Sequence, residues 1–326
     1  MSSYFTPGKE TFPGSNHLLP KPGKKSTALI VAGGGMKGSF AGGVLAALHQ
    51  YIPSTHFDLI VGVSSGSCSA AYYAAGFEES YEESIRILDI WKKELNGNKF
   101  ISFLNPFKGK TVLDQEYLID FIFGEKYRLP SENFDKKEAP PLYVAVTNLA
   151  KLQAEYIKAS ASNALNLLKA ATSLPIATRG KWKLDGQFYG DGGIADPIPL
   201  EKVIEAGYKD ITVVLNSSRD EFSDPISKFS GWLAYPSNKK LNHMITKVHH
   251  TMYNRAMQII KHPPKDVRIQ VISPSHQELT MVTTSADKLT RSINRGIEAG
   301  FKAVASIKEE FSHFKTKLKD KGWKIL

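Results

Sequence analysis

Short runs of consecutive apolar, often β-branched residues alternate along this chain with longer stretches whose apolar residues recur every three or four positions. The short runs end in glycines or serines and predict buried strands. They lie at 26–32 (STALIVA), 57–65 (FDLIVGVSS), 210–218 (DITVVLNSS) and 267–273 (VRIQVIS). The periodic stretches predict helices at 39–52, 67–76, 78–95, 112–123, 162–175, 238–262 and 286–321. Gly76 closes the second of these and Pro175 stops the fifth. The 78–95 stretch begins acidic and ends basic, matching the helix dipole. Residues 140–159 read as two strands joined around Asn148 to Lys151, and 181–193 as strand and turn. Residues 96–110 read as a loop carrying aromatic side chains. Strands alternating with helices predict an α/β fold: a three-layer α/β/α sandwich around a mostly parallel sheet, with a helical C-terminal part.

Composition narrows this picture. The chain has 326 residues, 42% of them hydrophobic, enough for a full core in one large domain or two modest ones. Its one cysteine, Cys68, forms no intramolecular disulfide and reads as a small packing residue. No stretch reaches the ~20 apolar residues that span a bilayer. Residues 1–25 lack the apolar core of a secretory signal and read as a flexible lead-in. A cytoplasmic location is expected, with room for peripheral membrane contact.

The net charge of +10 is unevenly placed. From Ser237 onward there are 17 basic and 7 acidic residues, whereas the rest balances at 25 and 25. A basic region draws anionic partners, either a lipid surface or nucleic acid. No nucleic-acid-binding motif is recognisable, so no nucleic acid is expected.

Chemistry concentrates first in AGGGMKGSFAGGVL, residues 32–45. Gly33, Gly35 and Gly38 fit the dinucleotide fingerprint G-x-G-x-x-G, between a predicted strand and a predicted helix. That reading needs an acid at the far end of the second strand to hold a ribose. Asp58 is 20 residues beyond Gly38 but precedes the apolar run, so it sits at the wrong end. Ser39 after Gly38 excludes a Walker loop. The other use of such glycines is an oxyanion hole. Without Cβ atoms, backbone N–H groups can converge at a helix N-terminus on charge that exists only during a reaction.

The second strand ends in GVSSG, residues 62–66, a G-x-S-x-G pattern at the strand-to-helix junction that a nucleophile elbow requires. Only Ser64 has glycines, Gly62 and Gly66, two positions away on both sides. A serine nucleophile needs a base. The late histidines, His243, His249, His250, His262, His276 and His313, lie mostly on or beside helical patterns, where packing or surface roles are expected. In YGDGGIADPIPL, residues 189–200, Asp191 precedes Gly192 and Gly193, which let another backbone approach its carboxylate. Asp-Gly also serves as an ordinary turn.

Together GGGMKG, GVSSG and DGG, in this order, resemble the patatin-like phospholipases. ATSLPIA (171–177) and DPIPL also look like segments of that family, and the resemblance covers roughly residues 26–218. It implies a catalytic core over 26–218; nothing is carried over to 219–326, which reads from its own pattern and charge as a basic helical and strand extension of the same domain. The resemblance further implies a serine acyl-hydrolase of lipid esters with no cofactor and no metal. Ser64 would be the nucleophile and Asp191 the base. Backbone N–H groups around Gly34, Gly35 and Met36 would form the oxyanion hole, within the loop Gly33 to Gly38 and beside Lys37. The contrasting expectation is a non-catalytic lipid- or partner-binding module on the same fold.

In the tail, Leu289, Ile293, Ile297, Phe301, Val304, Ile307, Phe311, Phe314 and Leu318 form one apolar stripe. Lysines and arginines, including Lys288, Arg291, Arg295 and Lys302, largely avoid it. The stripe packs on the domain or meets anionic lipid as an interfacial helix.

Overall fold

The computed structural model describes residues 18–80, 85–235, 238–304 and residue 316. Among these, one eight-stranded sheet forms the centre. Its strands are β1 Thr27–Val31, β2 Leu59–Val63, β3 Leu142–Asn148, β4 Gln153–Lys158, β5 Trp182–Leu184, β6 Gln187–Asp191, β7 Asp210–Val214 and β8 Arg268–Ile272. The order is β5-β6-β3-β2-β1-β7-β8, with β4 also paired to β3. The five strands from β3 through β8 in that order pair in parallel, while β4, β5 and β6 pair antiparallel.

The helices are α1 Ser39–Tyr51, α2 Ser65–Ala75, α3 Arg86–Asp89, α4 Ala164–Ala171, α5 Leu200–Glu205, α6 Lys228–Ala234, α7 Lys239–His243, α8 His249–Lys261 and α9 Ala286–Val304. The alternation of side chains along each strand separates two cores. Leu29, Val31, Ile60 and Val144 face α1, α2 and α9. Ala28, Ile30, Val61 and Val213 face α5 and α8. The result is the expected α/β/α sandwich.

Several boundaries differ from the sequence expectation. Gly76 closes α2 as expected, with φ −81°, and the chain runs on into a 3₁₀ turn, Gly76–Glu78. Of the helix expected at 78–95, residues 81–84 lie outside the described residues, a π-helical turn forms at Ile90–Glu94, and the first described α-helical part is α3. Glu78 and Glu79 lie before it, paired with Lys136 and Arg86. The helix expected at 112–123 runs Glu116–Lys126 with π-type hydrogen bonding. The tail is described to Val304, so Ile307, Phe311, Phe314, Leu318 and His313 lie outside the described residues, as do residues 1–17.

Within α9 the apolar stripe is spent on packing. Leu289, Ile293, Ile297 and Phe301 are buried against the core. Helix α9 lies directly on α1. A Cβ at Gly296 would stand 2.1 Å from the Phe40 carbonyl oxygen, and one at Gly43 would stand 2.2 Å from that of Ile293. This part of the tail is a core helix, so its stripe is not free to enter lipid. Arg291 and Arg295, on its outer side, pair with Glu278. Gly296→Ala must push α9 off α1. It is expected to lower stability by about 1–3 kcal/mol, read as a lower urea midpoint with unchanged slope.

Candidate active site

The register on β3 explains why Ser64 and Asp191 meet. Strand β4 fills one edge of β3 from Tyr143 to Asn148. The other edge is shared: β2 pairs with residues 142–145 and β6 with residues 146–148. Val63 lies opposite Ala145, and Asp191 lies opposite the next residue, Val146. The ends of β2 and β6 therefore abut. Residues 127 apart in the chain come into hydrogen-bonding range.

Ser64 caps α2 with φ 51° and ψ −130°, a strained conformation for a residue with a side chain. The turn is tight because Gly66 packs on backbone: a Cβ there would stand 2.4 Å from the Val31 and Ala32 carbonyl oxygens. At Gly62 a Cβ would meet the Ser67 backbone at 2.5 Å. The strained turn aims the Ser64 hydroxyl at Asp191, and Oγ donates to Oδ2 at 2.6 Å.

Asp191 is buried at the end of β6. Its second oxygen, Oδ1, accepts the Gly193 N–H at 2.8 Å. Its backbone is clamped as well: the N–H donates to the Ser173 carbonyl, and the carbonyl accepts from Thr147 Oγ1. Gly192 packs on β3, where a Cβ would stand 2.2 Å from the Ala145 carbonyl oxygen. Burial pushes the Asp191 carboxyl up to about 6, against the opposing pull of the Ser64 hydroxyl and the Gly193 N–H.

The glycine loop reaches the same point. A Cβ at Gly33 would stand 2.8 Å from Ser64 Cβ. Gly34 and Gly35 have φ values of 147° and 56°, which favour glycine. A 3₁₀ turn, Gly35–Gly38, leads into α1, and Gly38 packs on Ser65. The Met36 N–H donates to the Met281 carbonyl at 3.0 Å. Lys37 Nζ lies 3.4 Å from Ser217 Oγ, just beyond β7. Asp58, the acid weighed for a ribose, accepts the Ser26 N–H at the opposite end of β2.

Asn216 and Met281 escaped the sequence reading, and His249 takes the packing role expected of it. Asn216, buried beyond β7, donates to the Ala32 carbonyl at 2.6 Å and accepts the Ala41 N–H at 3.1 Å. It ties the glycine loop to the start of α1. His249 does not contact Ser64 in the described hydrogen bonds. Its Nδ1–H donates to the Gly193 carbonyl at 2.7 Å, and burial holds its pKa below the usual value. Met281, from the segment between β8 and α9, packs on Gly35. Only a polar residue at a strand end hinted at Asn216; the Met281 contact is long-range and leaves no local signal.

Ser64 and Asp191 open into a cavity of about 710 Å³. Its walls are mostly apolar and include Ile87, Trp91, Phe100, Leu118, Phe123 and Leu174. Cys68 also lines it. Burial, with the Asp191 charge nearby, pushes its thiol up to about 12, so it stays protonated and packs as a small residue. The site lies at the C-terminal ends of β1, β2 and β7, where the connection from β1 runs through α1 to β2 on one side and that from β7 runs through α8 to β8 on the other. That is the switch point where open α/β sheets bind ligands.

Among the described residues, no helix is long and apolar enough to cross a membrane. Residues 238–312 match the model of a domain of unknown function. The uncharacterized protein YjjU of Escherichia coli (strain K12) is 25% identical over 261 residues, covering 78% of this chain and 69% of its own. The solved structure of VipD from Legionella pneumophila covers 87% of this chain and 67% of its own, at 12% identity and a TM-score of 0.46. Residues 29–204 match the family model described as patatin-like phospholipase, a span that holds Ser64, Asp191 and the glycine loop. The chain belongs to the patatin-like phospholipase family.

Proposed function

We propose that this protein is a serine acyl-hydrolase that cleaves fatty-acyl esters of lipids, phospholipids foremost, through a Ser64–Asp191 dyad. The observation that carries the reading is the 2.6 Å hydrogen bond from a strained elbow serine to a buried carboxylate. A carboxylate near its ordinary pKa is a weak base for a hydroxyl. Burial, which brings Asp191 to about 6, makes it a stronger one.

The reaction takes two steps. Ser64 Oγ attacks the ester carbonyl carbon while its proton passes to Asp191 Oδ2. The carbonyl oxygen takes up the negative charge and faces the Gly33–Gly38 loop. As the tetrahedral intermediate collapses, the leaving alkoxide takes the proton from Asp191 and the acyl group stays on Ser64. A water then gives its proton to Asp191 and attacks the acyl carbon. Collapse returns the proton to Ser64 and releases the fatty acid. Within the loop, Gly34 and Gly35 are the first donors to consider. Met36 already donates to Met281, so its N–H joins the hole only when that bond breaks. The Lys37 ammonium adds positive field from the side of Ser217. The apolar cavity holds the acyl chain.

Incubating the protein with phospholipid vesicles and profiling the products tests the reading. Free fatty acid and lysophospholipid should accumulate with wild type and not with Ser64→Ala; equal accumulation with both would overturn it. The pH profile is a second check. The base must be ionised, so kcat/KM on a soluble ester should rise about tenfold per pH unit below 6 and level off above it. A profile that falls as pH rises through 6 would contradict Asp191 as base.

A further inference from the structure

We infer that the loop between Phe100 and Leu113 is a lipid-anchoring element that seats the mouth of the cavity on a phospholipid bilayer. Phe103, Leu104 and Phe107 are 68%, 63% and 88% exposed, three large apolar side chains within five residues of one another. Isolated exposed apolar residues are ordinary, but a cluster at a loop tip marks a contact surface.

The loop is built to hold them out. Its stem is a short ladder: an isolated bridge joins Ile101 to Leu113, the Ser102 N–H donates to the Val112 carbonyl, and the Asp114 N–H donates to that of Phe100. The Asn105 side chain donates across the loop to the Thr111 carbonyl. A 3₁₀ turn, Asn105–Lys108, ends at Gly109 with φ 72°. The tip is thus a braced projection.

Charge selects the occupant. The loop carries Lys99, Lys108 and Lys110; Lys99 and Lys110 pair with Glu94 and Asp114 at the stem, which leaves Lys108, at the tip, as the cation with no ion pair among the described residues. An apolar tip that carries this cation suits a bilayer, with rings among the acyl chains and the Lys108 ammonium at the phosphates. The stem is continuous with the cavity. Phe100, Ile101 and Leu113 line it, and the Leu113 N–H donates to Ala177 beside exposed Ile176, also a lining residue. A bilayer on this tip would therefore lie next to the opening that leads to Ser64. The inference builds on the lipid-ester reading, but vesicle binding needs no turnover.

The test uses full-length protein in the Ser64→Ala background with vesicles of mixed phosphatidylcholine and phosphatidylglycerol. Flotation should recover the protein with the vesicles. The triple variant Phe103→Ser, Leu104→Ser, Phe107→Ser should bind at least about tenfold more weakly. With Ser64 restored, the same triple variant should hydrolyse a soluble short-chain ester at the wild-type rate. Cys68 is buried, so a polarity-sensitive dye on Leu104→Cys labels the tip selectively. Its emission should shift to the blue when vesicles are added.

Unchanged vesicle binding by the triple variant, or no shift of the dye, would overturn the proposal. So would a loop that joins two copies in sedimentation while vesicle binding is unmoved. The proposed function fails separately: undiminished ester hydrolysis by Ser64→Ala would sink the dyad and leave the anchoring result standing.

Discussion

Ser64→Ala is expected to lower hydrolysis of a soluble activated ester by at least about 10⁴-fold while the protein stays folded. The hydroxyl is the only atom removed, and nothing else in the site can replace it. Ser65 packs against Gly38. Ser67 donates to the Ser64 carbonyl, and the Cys68 thiol is held protonated. The glycine loop and the apolar cavity remain, so substrate should still bind with a similar KM. A loss confined to kcat separates a missing nucleophile from a collapsed site. The melting temperature checks the fold and should not fall by more than a few degrees.

Asp191→Asn is expected to lower kcat by about 10²–10⁴-fold, because the amide cannot take the Ser64 proton. Its effect on stability should have the opposite sign. The native carboxyl titrates at about 6, above its ordinary value of 3.8. Keeping it neutral contributes stability in full below 3.8, and that contribution is lost as pH rises through 6. At pH 8 wild type therefore carries the cost of a buried charge, about 2–3 kcal/mol. Asparagine is nearly isosteric and can still accept the Gly193 N–H. The variant should melt above wild type at pH 8, and the gap should close toward pH 4. Asp196, also buried and raised to about 6, titrates in the same window. It is present in both proteins, so the difference between them isolates Asp191. A variant less stable than wild type at pH 8 would contradict this account of the carboxylate.

Much of this site could be read from residues close together in the chain. STALIVA and FDLIVGVSS are buried strands because their apolar runs face helices on both sides. GVSSG is an elbow because glycine, strand and helix meet within five residues. What could not be read is what β3 does. No local pattern says that β2 and β6 share one edge of that strand, yet this sharing brings Asp191 to Ser64.

The same holds for the tail. Its apolar stripe has the spacing of a surface-seeking helix as much as of a core helix. For the described part, Leu289 to Phe301, the close fit of Gly43 and Gly296 shows packing on α1, and that fit lies between helices some 250 residues apart. Past β8, the chain sends Met281 to the glycine loop and Gln277 to the Asn216 carbonyl. The C-terminal region thus helps to shape the site that the earlier motifs define.

The central claim is that Ser64 carries the acyl group. Mass spectrometry after treatment with a fluorophosphonate lipid analogue tests it most directly. The predicted result is one adduct on the peptide containing Ser64, absent in Ser64→Ala and formed far more slowly in Asp191→Asn. An adduct on another residue, or ester hydrolysis that continues in protein with Ser64 fully blocked, would contradict it.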